Sequence, residues 1–394
     1  VLKVPFEVAI VDQQSAKLTI GGTTHELRKD EYTDWIRVAM RAAPCVKVRG
    51  LCKFLLLDTD PEFKLYVTPI NIDPEKPAMP ISHPSYFATY LSKRIGHYCT
   101  LGLAEDTWAL NERVIDDDTF LQLAYDIDDE RQKMFWNGFN RLRKGSLICV
   151  FDGTDRVQHM MWRHIEKGHP AYRETDGDHA DAIENFYRHN DELVGKVLDR
   201  LGPKDMLMVI SDHGFASFRR GVNLNAWLRD NGYLHLKDGA DGSAEWLQDV
   251  DWSKTRAYAL GLCGMYLNIE GREAQGIVKP GEEAKALLKE LIGKLNGLVD
   301  EERGEVGINE MFDTSSLYEG PYLQHAPDFL IGYNGGYRTS WDCATGVVAG
   351  KPFEDNVKAW SGDHCIDPRL VPGIFFCNRD IARDDPALID IAPT

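Results

Sequence analysis

Positive charge is scarce in this sequence. Across 394 residues it carries 45 Lys and Arg against 62 Asp and Glu, a formal net charge of −17. A protein that clamps nucleic-acid phosphates needs a basic face, so the charge argues against a nucleic-acid partner. A phosphate ester remains open as a substrate, because bound divalent cations reverse the local sign. Paired cysteines are also missing. Cys45, Cys52, Cys99, Cys149, Cys263, Cys343, Cys365 and Cys377 are scattered and form no CxxC pair, which argues against a thiolate zinc site. Several lie in apolar runs and read as buried, reduced thiols. Nothing demands an oxidising compartment, and the lean is to the cytoplasm. No stretch is long and apolar enough to cross a membrane. No signal peptide is visible in the residues given, and no internal repeat or low-complexity tract is found. The chain opens on VLKVPFEV without Met and stops at LIDIAPT, so both ends are expected to belong to a longer protein. Oligomeric state is not readable.

What is present is an ordinary globular composition, 43% hydrophobic and 27% charged, in a chain long enough for a large core. Residues 1 to about 72 are β-rich: VPFEVAIV, AKLTIGG, CVKVRGLCKFLLLD and KLYVTPINI carry β-branched and apolar residues between Gly, Asp and Pro. KLTIGGTTHEL predicts a hairpin turning on Gly-Gly. From Tyr86 the pattern becomes helical, in FATYLSKRI, DTFLQLAYDIDDERQKMFWNGFNRL and ADAIENFYRHNDELVGKVLDRL. In the last, Ile183, Tyr187, Val194, Val197 and Leu201 would form the apolar stripe.

Short apolar runs alternate with the helices: SLICVF, DMLMVIS, PDFLIGY and VPGIFFC. None alternates with polar residues, which is how strands covered on both faces read. The expected fold is therefore α/β, a mostly parallel sheet sandwiched by helices, with an inserted β-rich cap region at the N-terminal end. Residues 1–125 would be the cap and 126–394 the metal-binding core, with 235–320 as a sub-insertion containing a strand pair, AYALGLCGMYLNI, and the helix EEAKALLKELIGKLNGL.

Ligands in open α/β sheets bind beyond the carboxyl ends of strands. SLICVF leads into DGTDRVQHMMW, where Asp155 and His159 are four apart and share a helix face. DMLMVIS leads into Asp212-His213. Asp363-His364 precede VPGIFFC, whereas YNGGYR after PDFLIGY reads as a turn only. Carboxylate oxygen with imidazole nitrogen suits zinc, with manganese or iron as the alternatives. A catalytic zinc takes about three protein ligands, so Asp155, His159, Asp212, His213 and His364 fit two divalent metals. Asp152 and Asp363 sit beside ligands and are candidates to accept imidazole N–H groups. His164, His169, His179 and His189 read as solvated.

FDGTDRVQHMMW, SDHGF and WSGDH resemble the metal-ligand motifs of the type I phosphodiesterase/nucleotide pyrophosphatase family, within the alkaline phosphatase superfamily. YVTPINIDPEKP, GLAEDTWAL, RAYALGLCGMYLNIEGRE and HAPDFLIGY extend the resemblance from about residue 60 to the end. It implies an alkaline-phosphatase-like fold and a phosphoric ester hydrolase acting on a nucleotide or other small phosphate ester. It also implies one metal on Asp155, His159 and His364, and a second on Asp212 and His213 with a further Asp. The implied nucleophile is a Thr or Ser on a segment upstream of this chain, so the catalytic nucleophile is not assigned and the isolated chain is expected to be impaired. FLLLDTD, with Asp58 and Asp60, is the nearest stand-in for the further Asp. The alternatives are a sulfatase or phosphomutase on the same scaffold, and a non-catalytic metal-binding homologue that docks a partner.

Overall fold

A computed structural model describes residues 3–44 and 46–380. Cys45 and the LIDIAPT end lie outside the described residues. The chain folds as a mixed α/β protein in two compact units. The first runs to Val157 and includes Glu174–Val194; the second comprises Gln158–Arg173 and the chain from Gly195.

The first unit opens with an antiparallel meander, Phe6–Asp12, Ser15–Ile20 and Thr23–Arg28. Ile20 pairs with Thr23 across a two-residue turn in which Gly21 and Gly22 have φ of 59° and 86°. Only glycine adopts both values without strain, so the expected Gly-Gly hairpin is present. Period-2 alternation turns Ala16, Leu18 and Ile20 inward, where they pack with Leu27, Ile36, Val38, Cys52, Phe54 and Leu56. A hairpin of Ile36–Ala43 and Val46–Cys52 is extended by Asn71–Ile72. The unit's longest helix is Asp117–Phe139. It starts where the Asp116 carboxylate accepts the Thr119 N–H at 2.9 Å, with Asp117 and Asp118 in its first turn facing the helix dipole.

The second unit is built on an antiparallel sheet, Ala257–Leu260, Gly264–Leu267, Phe329–Tyr333 and Ile308–Asp313 in spatial order. The first two are the expected strand pair. The expected helix is Glu282–Leu295, which buries Leu287, Leu291 and Leu295 at four-residue steps. Each buried leucine contributes about 2 kcal/mol of apolar burial. A second sheet centres on Ala216–Val222, flanked by Gly336–Thr339, Phe353–Asp355 and Gly362–Asp363.

The mostly parallel sheet is not what forms. Among the described strands only Ala216–Val222 and Gly336–Thr339 pair in parallel; the other pairings between strands are antiparallel. SLICVF forms no strand, and Ile148 and Val150 are exposed. Met208–Ile210 pairs antiparallel with Phe375–Cys377. An apolar run specifies burial but not direction of pairing, and an extended segment becomes a strand only beside a hydrogen-bonding neighbour. YNGGYR is more than a turn, because Gly336–Thr339 continues from it as a buried strand. On Ala182–Leu198 the buried residues are Ala182, Phe186, Leu193 and Val197, while Tyr187 is exposed. The expected stripe thus falls about one residue to the side.

Candidate metal centre

Helix Gly153–Ile165 carries Asp155 in its first turn and His159 one turn later. The His159 ring is buried, lies 3.8 Å from the Trp360 ring and 4.8 Å from that of Phe215, and donates from Nδ1 to the Gly362 carbonyl at 2.7 Å. That bond places the lone pair of the neutral ring on Nε2.

Strand Met208–Ile210 ends just before Asp212 and His213. His213 Nδ1 donates to the Gly214 carbonyl at 3.1 Å, so its lone pair also sits on Nε2. The Asp212 carboxylate is exposed, and its Oδ2 lies 3.4 Å from that nitrogen. A side chain at Gly214 would meet the Pro372 carbonyl at 2.6 Å, so only glycine lets the chain turn there.

Gly362–Asp363 pairs antiparallel with Ala216–Ser217. This brings His364 flat against His213, with centroids 3.5 Å apart and planes at 9°, and 5.2 Å from the His159 ring. The approach requires Gly362, because a Cβ there would lie 2.5 Å from the Gln158 carbonyl and 3.0 Å from Trp162 Cβ.

Asp363 underpins the arrangement. Its Oδ1 accepts the backbone N–H groups of His364 and Cys365, both at 2.8 Å. Its Oδ2 accepts Trp360 Nε1–H at 2.8 Å and pairs with Arg338 Nε at 2.7 Å. Burial opposes the carboxylate, but Arg338, His159 and these hydrogen bonds outweigh it and hold its pKa below the usual range. Arg338 is itself buried and lies over Phe218 and Trp341 at 4.9 and 4.6 Å. Asp363, His364 and Cys365 bring three ligand atoms within 4.8 Å of one another. With both oxygens of Asp363 already engaged, that trio serves as a support rather than an ion cage. Asp363 reaches His159 Nδ1 at only 4.0 Å, and the hydrogen bond there goes to Gly362.

Asp155 is half-buried and its carboxylate pairs with Arg156. Arg156 Nε lies 3.7 Å from Glu105, in the GLAEDTWAL segment. Glu105 is 1% exposed, and neither of its oxygens finds a hydrogen-bond donor among the described residues. Burial pushes its pKa up to about 7. Asp152 pairs with Arg131 at 3.3 Å.

His164 and His169 are not solvated: both are buried. His169 Nδ1 accepts the Ala171 N–H at 3.0 Å and Nε2 donates to the Phe218 carbonyl at 2.8 Å. Burial lowers its pKa, so it is a neutral structural histidine. Arg338 and Glu105 were not singled out as site residues by the sequence. The only signal for either was a charge set among apolar or aromatic neighbours, in GGYRTSW and GLAED.

The donor set fits a divalent transition metal. Three imidazoles converge, and two of them have Nδ1 fixed by a backbone carbonyl, which is how ligating histidines are held. A family model described as type I phosphodiesterase / nucleotide pyrophosphatase matches residues 72–341, a span that includes Asp155, His159, Asp212 and His213. No curated protein sequence matches the chain.

Proposed function

Because the chain belongs to the type I phosphodiesterase/nucleotide pyrophosphatase family, we propose that it is a metal-dependent hydrolase of phosphodiester or pyrophosphate bonds in a nucleotide or other small phosphate ester. The observation that carries this reading is the convergence of His159, His213 and His364 around Phe215. Asp155, His159 and His364 would hold one divalent cation, and Asp212 and His213 would contribute to a second, zinc being the best match to nitrogen and carboxylate donors. The bound cations would neutralise the phosphoryl oxygens and acidify an attacking hydroxyl.

The chain's own residues supply positioning. The Gly362 carbonyl fixes which His159 nitrogen carries the lone pair, and the Gly214 carbonyl does the same for His213. Asp363, locked by Arg338 and Trp360, holds the backbone at His364 in place and lends negative charge beneath the imidazoles. Trp360 and Phe215 wall the His159 ring from water.

Turnover of bis(4-nitrophenyl) phosphate, followed at high enzyme concentration because this chain is expected to be impaired, tests the reading. Chelation is expected to abolish activity, and zinc or manganese to restore it. His213→Ala is expected to lower kcat/KM by at least about 100-fold, since losing even a group that orients a metal ligand costs roughly 10–100-fold. Turnover that survives chelation, or that His213→Ala leaves unchanged, would contradict it.

A further inference from the structure

The first unit contains a cleft of about 610 Å³ lined by Arg41, Val46, Lys47, Arg49 and Lys76. Four of its five lining residues are cations, in a chain whose net charge is −17. The fold places them there by register. Arg41 sits directly opposite Lys47 in the hairpin of Ile36–Ala43 and Val46–Cys52, and Arg49 faces Ala39 two residues along. All three lie on the outward face, since the inward one carries Ile36, Val38 and Met40. Lys76 arrives from the turn after Asn71–Ile72, whose strand pairs with Gly50 and Leu51.

Like charges directly opposite across a strand pair are destabilising. The same face shows what neutralisation looks like here: Arg37 is held by Asp73 at 2.7 Å and Glu75 at 3.1 Å. Past that point the acids stop. Among the described residues, Arg41, Lys47, Arg49 and Lys76 make no ion pair with a carboxylate. A local conflict of this kind is expected where function, not stability, sets the residue choice. The volume suits a small molecule, and two guanidinium forks beside two ammonium groups match the many oxygens of a phosphate chain.

We propose that this cleft binds a small polyphosphate anion, a di- or triphosphate group either free or at the end of a nucleotide. Neutralising the Arg41–Lys47 repulsion contributes to its affinity. The site lies in the first unit and uses none of the residues assigned to metal.

The test is calorimetric titration of the full chain with inorganic tripolyphosphate in chelator, so that metal loading plays no part. Saturable one-to-one binding is expected, weakening as salt is raised. Lys47→Gln and Arg49→Gln should each weaken it roughly tenfold, the scale of one charge-assisted contact. Lys144→Gln, outside the cleft, should leave it unchanged. Lys47→Gln should also raise the melting temperature of the ligand-free chain, because it removes a like-charge pair while the fold stays intact. Absence of saturation at millimolar tripolyphosphate would overturn the proposal, as would equal affinity in all three variants. Binding to phosphatidylserine vesicles without binding to tripolyphosphate would overturn the small-anion assignment.

Discussion

A buried carboxylate without a hydrogen-bond donor is costly, and Glu105 finds none among the described residues. Arg156 lies within ion-pair distance of it and also pairs with Asp155. Burial keeps Glu105 protonated until about pH 7 in the folded chain, against 4.5 for an ordinary glutamate. Below pH 4.5 both states hold the proton and the group makes no difference. Between 4.5 and 7 the unfolded chain loses it first, so stability falls as pH rises through that window, by on the order of 3 kcal/mol in full. Glu105→Gln should therefore flatten the decline in urea-unfolding stability between pH 5 and pH 8. An unchanged slope would show that Glu105 does not titrate there. The three histidines stood out as candidates because Asp/His pairs recur beside three separate apolar runs. Glu105 and Arg338 could not, because a charged residue among apolar neighbours reads as exposed until the fold reveals its partner.

At the scale of elements, the centre depends on one close approach. Strand Gly362–Asp363 sits against the turn of helix Gly153–Ile165 that carries His159, and a side chain at 362 has no room. Gly362→Ala should cost about 1–3 kcal/mol through overpacking and lengthen the His159–Gly362 hydrogen bond, lowering metal affinity. Gly335→Ala, which opens into free space, should cost little by comparison. Equal stability and metal affinity in the two variants would remove this packing constraint from the account. Strands were legible in three of the four apolar runs, SLICVF forming none, and the Gly-Gly hairpin was legible from its turn chemistry. Pairing direction was not, because Phe329–Tyr333 is apolar throughout and would read the same in a parallel or an antiparallel sheet. The stripe on Ala182–Leu198 was misplaced for a related reason. Tyr187 and Phe186 are adjacent and both aromatic, so periodicity alone could not say which faces inward.

Considered as a whole molecule, the chain distributes its charge unevenly. It is strongly acidic overall, yet it gathers cations that meet no carboxylate among the described residues in one cleft of its first unit, and imidazoles at one centre of its second. Face-to-face imidazoles at 3.5 Å repel if both are protonated, and a bound cation resolves that by requiring neutral rings. On this reading the three histidines hold metal. Plasma mass spectrometry of the purified chain beside His364→Ala tests it most directly. At least one tightly held zinc or manganese per chain is expected, lost in the variant. A chain that binds neither metal after reconstitution, or whose His364→Ala variant retains the full complement, would contradict it.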